Sequence, residues 1–135
     1  MTSRGCLIVA AVAGFIVAAP ARADDYAGLV KSLVDSSFRH MALTFACQRY
    51  IGDAHYHAAR TIAEGNLELA GFGRDEAVLH VDQMDQKLKA DARPAPKGIS
   101  AQVCLSQMAE TMQKLKVAQA EMRIFLSKQP GDPAK

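Results

Sequence analysis

Apolar residues recur at steps of three and four through residues 24–128, which is the spacing of one helix face. The first row opens after the acidic pair at residues 24–25, which suits a helix N-terminus, and consists of Tyr26, Leu29, Val30, Leu33, Val34, Phe38 and Met41. A second row, on another side, consists of Cys47, Ile51, Ala54, Ala58 and Ile62. We interpret both rows as one long helix that ends at Gly65-Asn66. A break near residues 39–44 is the alternative, although no Gly or Pro marks it.

Two further helices follow this segment. Residues 67–74 form a predicted connector with Gly71 and Gly73 as turn residues. The next helix starts near Asp75, must end before Pro94, and carries on one side Ala77, Val81, Met84 and Leu88. Ser100 is the predicted N-cap of the last helix, whose apolar row with one polar member consists of Leu105, Met108, Met112, Leu115, Gln119, Met122 and Leu126. The predicted fold class is all-α, an up-and-down bundle of three to four helices.

Residues 1–23 have the form of a secretory signal peptide. Arg4 supplies the positive charge, residues 6–19 form an uncharged apolar run of 14 residues, and Ala21-Arg22-Ala23 places small residues where a signal peptidase reads them. The run is shorter than the about 20 residues that a transmembrane helix needs. We therefore expect cleavage before Asp24, with a cut after Ala21 or an uncleaved anchor as the alternatives. The expected location is periplasmic or secreted, with no membrane segment after cleavage.

The cysteines fit an exported protein. Cleavage removes Cys6 and leaves Cys47 and Cys104, an even pair in an oxidising compartment, which predicts one disulfide. The expected organisation is a signal peptide at 1–23 and a bundle crosslinked by this disulfide at 24–128. Pro130 ends the last helix, so residues 129–135 form a predicted flexible tail.

Charge and motif content exclude several classes of function. The chain has 16 Lys and Arg against 14 Asp and Glu, and the loss of Arg4 and Arg22 with the signal peptide would balance the charges. A neutral surface has no long-range field that attracts nucleic acid or an anionic membrane. The sequence contains no nucleophile elbow, zinc-protease motif, phosphate-binding loop or paired-carboxylate motif. We therefore predict that the protein is not an enzyme, has no cofactor and binds no nucleic acid.

One cluster of polar residues has the spacing of metal ligands. Asp53 and His57 lie four residues apart and share a helix face, as helical metal ligands do. The same face carries Arg60 and Glu64. A solvent-exposed row with weak Asp53–His57 and Arg60–Glu64 ion pairs is favoured over a metal site.

A second candidate pair is His80 and Met84, four residues apart. A His–Met pair can bind copper or haem iron, but a further thioether or imidazole would have to come from another helix. No Cys-x-x-Cys-His occurs, which excludes c-type haem attachment. The favoured interpretation is a border histidine beside a core methionine. His40 is likewise expected to be an ordinary surface or border residue.

Two short fragments resemble a known family. The sequence Cys47-Gln-Arg-Tyr50-Ile51-Gly52 and the later Pro96-Lys-Gly98-Ile99-Ser100 are similar to parts of the small periplasmic immunity proteins of type VI secretion. Members of that family are helical, exported and disulfide-bonded. The resemblance covers about a dozen residues, and the cysteine that the family places before its proline-glycine turn is missing here. It therefore assigns no family.

Two classes of function remain. The first is a periplasmic interaction protein, such as an inhibitor, immunity or chaperone-like factor, whose partner is another periplasmic protein. The second is a carrier of a small ligand or metal ion, using the bundle interior with His80 and Met84 or the Asp53/His57 face. We favour the first because catalytic motifs are absent and a crosslinked bundle offers a rigid surface. The sequence does not specify an oligomeric state.

The exported protein should begin at Asp24, which N-terminal sequencing measures directly. Ala23→Leu should block this cleavage, because it removes the small residue directly before the cut. Ala19→Leu is the matched control, since it affects only a cut after Ala21. A chain that starts at Met1 would show an uncleaved anchor, and one that starts at Arg22 the alternative cut.

Overall fold

The computed structural model describes residues 19–93 and 98–129. This part contains four helices and no strand, namely α1 (Ala19–Ile51), α2 (Ala54–Leu69), α3 (Arg74–Ala90) and α4 (Ala101–Ser127). Cys47 and Cys104 form a disulfide, with their Cα atoms 5.8 Å apart. The predicted fold class is therefore confirmed. Most of the predicted signal peptide, at residues 1–18, and residues 130–135 of the predicted tail lie outside the described residues.

Helix α1 lies at the centre of the bundle, and its neighbours run antiparallel to it. Along α4, the ring of Tyr26 stacks on Phe125 at a centroid distance of 5.7 Å, and the disulfide joins the two helices near their other ends. Helix α2 packs on another side of α1, and α3 packs mainly on α2. The order across the bundle is thus α4, α1, α2, α3, and α3 makes no packing contact with α4.

The prediction of one long first helix is wrong, because the chain reverses direction at Gly52. The φ angle of Gly52 is +83°, a left-handed conformation that ends α1 and that glycine adopts without strain. Its N–H donates to the Gln48 carbonyl over 2.8 Å. The alternative break near residues 39–44 is also wrong, since α1 is continuous there. Helix α1 begins at Ala19, earlier than the predicted start after residue 25.

The predicted helix end at Gly65-Asn66 is wrong. Helix α2 continues through these residues, and the chain leaves the helix at Gly71. Helix α2 ends at Leu69, and Gly71 takes a φ of +91°. The N–H groups of Gly71 and Phe72 donate to the Glu68 and Leu67 carbonyls over 2.9 and 3.0 Å, which is a Schellman motif. A Cβ atom at Gly71 would also lie 2.9 Å from the Tyr26 hydroxyl. Both the φ angle and this close approach require glycine.

Asn66 instead forms a buried polar bridge between three helices. Its Nδ2 donates to Ser37 Oγ of α1 over 2.9 Å, and its Oδ1 accepts from Gln119 Nε2 of α4 over 2.7 Å. The Ser37 hydroxyl donates in turn to the Leu33 carbonyl over 2.7 Å. Gln119, the polar member of the predicted α4 row, therefore faces inward because it completes this network.

The remaining boundaries agree with the sequence, and the α4 row needs one correction. Helix α3 ends at Ala90, before Pro94, and Ser100 Oγ accepts from the Val103 N–H over 3.3 Å as an N-cap. Met108, Leu115 and Met122 are buried, as the row predicts. Leu105 is exposed, because Cys104, and not Leu105, faces α1 at the start of α4. Leu126 is exposed in the last turn of α4.

Loss of the disulfide should lower stability strongly. The bridge closes a separation of 57 residues, for which chain entropy gives about 4 kcal/mol. The Cys47→Ala/Cys104→Ala double variant should melt more than about 10 °C below the parent, with unchanged helical circular dichroism at low temperature. Cys6→Ala is the control and should leave the melting temperature of the exported protein unchanged. Two free thiols in unfolded, unreduced exported protein, or a disulfide-linked dimer, would contradict the intramolecular bridge.

Candidate functional site

The Asp53/His57 face is exposed to solvent. His57 Nε2 lies 3.7 Å from Asp53 Oδ2, and both side chains are mostly exposed. Arg60 departs from the predicted row, because it turns to α3, where it pairs with Asp82 and lies 4.0 Å from Asp85 Oδ2. The expected Arg60–Glu64 pair is therefore wrong, and the exposed row reduces to one surface ion pair of the kind that contributes little.

His80 and Met84 take different positions on α3. His80 Nε2 lies 3.8 Å from Glu76 Oε1, and its ring meets Phe72 edge-on at a centroid distance of 5.4 Å. Met84 packs on the core cluster that contains Met41 and Tyr56. This is the predicted arrangement of a border histidine and a core methionine. Within residues 19–93 and 98–129, no three His, Cys, Asp or Glu side chains gather at metal-ligand spacing.

Asp85 is a charged residue buried where α3 meets α2. Its carboxylate accepts from the Tyr56 hydroxyl over 2.6 Å and from Lys89 Nζ over 2.7 Å. Burial alone would raise the pKa of Asp85, but the bonds from Lys89 and Tyr56, with the charges of Lys89 and Arg60, hold the pKa below its usual value. Burial and the bond to Asp85 raise the pKa of Tyr56, so it remains a donor. Tyr56 is a buried residue of α2 and Asp85 a buried residue of α3. Their hydrogen bond therefore links α3 to α2.

The expectation that His40 is a surface or border residue is wrong, since only 4% of it is exposed. Its Nδ1 lies 2.8 Å from Thr111 Oγ1, and the Thr111 hydroxyl donates to the Met108 carbonyl over 3.2 Å. Burial, with a smaller contribution from the charge of His55, lowers the pKa of His40. His40 therefore presents a neutral imidazole at neutral pH. It lines a groove of about 260 Å³ between α1, α2 and α4.

The outer face of α4 carries exposed apolar side chains. Five of the seven large apolar side chains left exposed among the described residues lie on α4, and two of these five, Leu105 and Leu126, belong to the predicted inward row. At 100° per residue, Val117 and Ile124 lie roughly opposite the buried Leu115 and Met122, and they are 49% and 54% exposed. We call Gln113, Val117, Ala120 and Ile124 the outer stripe. They follow one another at steps of four, three and four residues.

A shallow groove of about 340 Å³ borders the outer stripe. It runs between α4 and the first half of α1, and small side chains such as Ser32, Ser36 and Ala118 line it. Small side chains let another backbone approach closely. This surface was not predicted from the sequence, because only the inward row of α4 was considered. The available signal was the seven-residue spacing of Val117 and Ile124 on the other side of the same helix.

Another groove, of about 570 Å³, lies at the disulfide end of the bundle. Phe45, Leu88 and Ile99 give it an apolar floor, and Arg49 and Arg93 lie at its edge. Residues 94–97, which connect α3 to Ile99, lie outside the described residues.

Among the described helices, none combines the length and apolar character needed to cross a membrane.

Asp85 should make stability pH-dependent in acid. A carboxyl whose pKa is lower in the folded state stabilises above its unfolded pKa, about 3.9, and loses that contribution as the pH falls through the folded value. Asp85→Asn should therefore lower the free energy of unfolding by roughly 1.5–3 kcal/mol at pH 7. The difference in unfolding free energy between parent and variant should become smaller below about pH 4. Urea unfolding from pH 2 to 7 measures both. Asp35→Asn, in an exposed pair with Lys31, is the control, and parallel pH profiles for parent and Asp85→Asn would contradict the assignment.

Comparison with family models, curated proteins and solved structures gives no match for this chain. The outer stripe of α4 is the candidate functional site, because it places the exposed side chains of Val117 and Ile124 on one face of a long helix.

Proposed function

We propose that this chain is an exported, periplasmic protein that acts by binding another protein through the outer stripe of α4. The observation that carries the proposal is the exposure of Val117 and Ile124 on the side of α4 opposite its buried row. Exposed apolar side chains grouped on one face are typical of interaction sites. The signal-peptide form of residues 1–23 and the Cys47–Cys104 bridge support export.

The spacing of the outer stripe favours a helical partner. Steps of four, three and four residues are those by which one amphipathic helix packs along another. Ala120 is a small residue within the stripe. The groove that borders the stripe at Gln113 and Val117 is lined by the small side chains of Ser32 and Ser36 and leaves room for close packing. The partner segment is thus an amphipathic helix with apolar residues at the same steps.

Charge specifies the chemistry of that helix further. Lys116 and Arg123 lie seven residues apart along one edge of the outer stripe. Both are exposed, and neither forms an ion pair with any residue of the described part. On the opposite edge, Lys114 is paired with Glu110 at 2.6 Å. The partner helix therefore carries carboxylates that face Lys116 and Arg123. Such rim charges set orientation and association rate more than affinity.

Site-specific photo-crosslinking in intact cells tests the proposal. A photo-reactive residue at Ala120 should give one heterologous adduct, whose mapped peptide is an amphipathic helix with acidic residues along one edge. Val117→Glu/Ile124→Glu should abolish the adduct by placing charges in the contact. Lys116→Glu/Arg123→Glu should weaken it, most at low salt.

The matched control is Leu79 on α3, which is 55% exposed and thus as accessible as Ile124. A photo-reactive group there should give no such adduct, and Leu79→Glu should leave the Ala120 adduct intact. The free energy of unfolding of every variant should lie within about 0.5 kcal/mol of the parent value, as is usual for exposed substitutions. An adduct that survives Val117→Glu/Ile124→Glu, an adduct to a second copy of this chain, or no adduct would overturn the proposal.

A further inference from the structure

Four soft or borderline donor side chains from three helices line one groove. His40 comes from α1, His55 from the first turn of α2, and Met108 and Met112 from consecutive turns of α4. The remaining walls include the small residues Ala58, Ala59 and Ala109, and no carboxylate lines the groove. These four side chains are far apart in the sequence, and the tertiary fold brings them together.

The hydrogen bonding of His40 leaves one ring nitrogen free. Thr111 has a single hydroxyl proton, which it donates to the Met108 carbonyl. With that proton on the Met108 carbonyl, Oγ1 is an acceptor for the Nδ1–H of His40 over 2.8 Å. In this tautomer Nε2 carries a lone pair. Nε2 has no hydrogen-bond partner among the described residues and is accessible to solvent. A histidine oriented through one nitrogen by a second polar group is the usual arrangement of a metal-ligating imidazole.

The donor set selects a class of ion. Thioethers are soft ligands that favour Cu(I), and imidazole is compatible with the same ion. Zn²⁺ sites use thiolate, imidazole and carboxylate ligands, and this groove offers only the imidazoles among these. We propose that His40, His55, Met108 and Met112 bind a soft monovalent cation of the Cu(I) class.

Two of the donors are already positioned and two can adjust. His40 and Met108 are buried, with 4% and 8% of their surface exposed. His55 is exposed and Met112 is half-buried, so their flexible side chains close over the ion from the open side. His55 is near enough to His40 for its charge to affect that ring. The site is thus independent of the outer stripe, which lies elsewhere on α4.

Titration with Ag(I) tests the site without a reductant, so that the Cys47–Cys104 bridge remains intact. The exported protein is used and is expressed with Cys6→Ala, so that no thiol outside the bridge is present even in a chain that keeps residues 1–23. Calorimetry in chloride-free buffer should give one ion per chain. In methyl NMR, the ε-methyl signals of Met108 and Met112 should shift, while that of Met84, which packs on the core cluster of Met41 and Tyr56, should not. Zn²⁺ should produce neither effect.

Two single variants test the ligands without disturbing the core. His55→Gln changes an exposed side chain, and Met112→Leu replaces a half-buried methionine by a residue of similar volume. Each should weaken Ag(I) binding at least about tenfold, the scale on which even second-shell losses act. The matched controls are His57→Gln and Met84→Leu, which should bind like the parent.

The result that would overturn the proposal is the absence of stoichiometric Ag(I) binding to the folded protein. Equal affinity in His55→Gln, Met112→Leu and the parent would overturn it as well. So would a loss of affinity in His57→Gln, because that would locate the ion on the exposed Asp53/His57 face.

Discussion

Helix α1 is packed on more than one side, and the need to satisfy its buried polar groups fixes the helices around it. Ser37, His40 and Thr44 are all buried on α1. Thr44 bonds its own helix, whereas Ser37 accepts from Asn66 and His40 bonds Thr111. No buried side-chain nitrogen or oxygen of the described residues lacks a partner. Since an unmade buried bond costs about 1–3 kcal/mol, sliding α2 or α4 along α1 is unfavourable even where apolar packing alone would tolerate it.

The two edge helices are held by different forces. Helix α4 packs along α1 through an apolar cluster that includes Leu33, Leu115 and Met122, and the disulfide joins them at one end. Helix α3 buries Ala77, Val81 and Asp85, and Met84 and Leu88 pack against the same core. Buried ion pairs are costly to desolvate and are weak evidence of net stability. The lowered pKa of Asp85 nevertheless makes the contribution of this cluster sensitive to acid, whereas the disulfide adds a redox-sensitive link to the apolar packing of α4.

The periodicity of the sequence was sufficient to predict that the chain is helical, because apolar steps of three and four depend on neighbours one turn away. It did not place every helix boundary, since the row from Cys47 to Ile62 crosses the turn at Gly52, and Ala54 and Ala58 of that row are exposed. It was insufficient where one residue type has two uses. Gly52 and Gly65 look alike in sequence, but only Gly52 adopts a left-handed φ, while Gly65 lies within α2. Asn66 can end a helix or bridge helices, and the presence of Ser37 and Gln119 across the interface decides between them. Asp85 shows the same limit, since a carboxylate on an apolar row is intelligible only once Tyr56 is placed beside it.

The site that sequence reasoning could not assemble is the groove around His40, because its donors are distant in the chain. The spacing of His80 and Met84 made them candidate metal ligands, but this one helix supplies too few ligands for a site. The bundle supplies the missing ones by packing α4 against α1, which places Met108 and Met112 beside His40, and by reversing the chain at Gly52, which returns His55 to the same groove. Helices α2 and α4 touch little elsewhere, apart from the Asn66–Gln119 bridge and a few apolar contacts. An ion held by His55 and Met112 would give these two helices a second connection. Its energetic effect would fall on the α2–α4 contact and leave the outer stripe free for a partner.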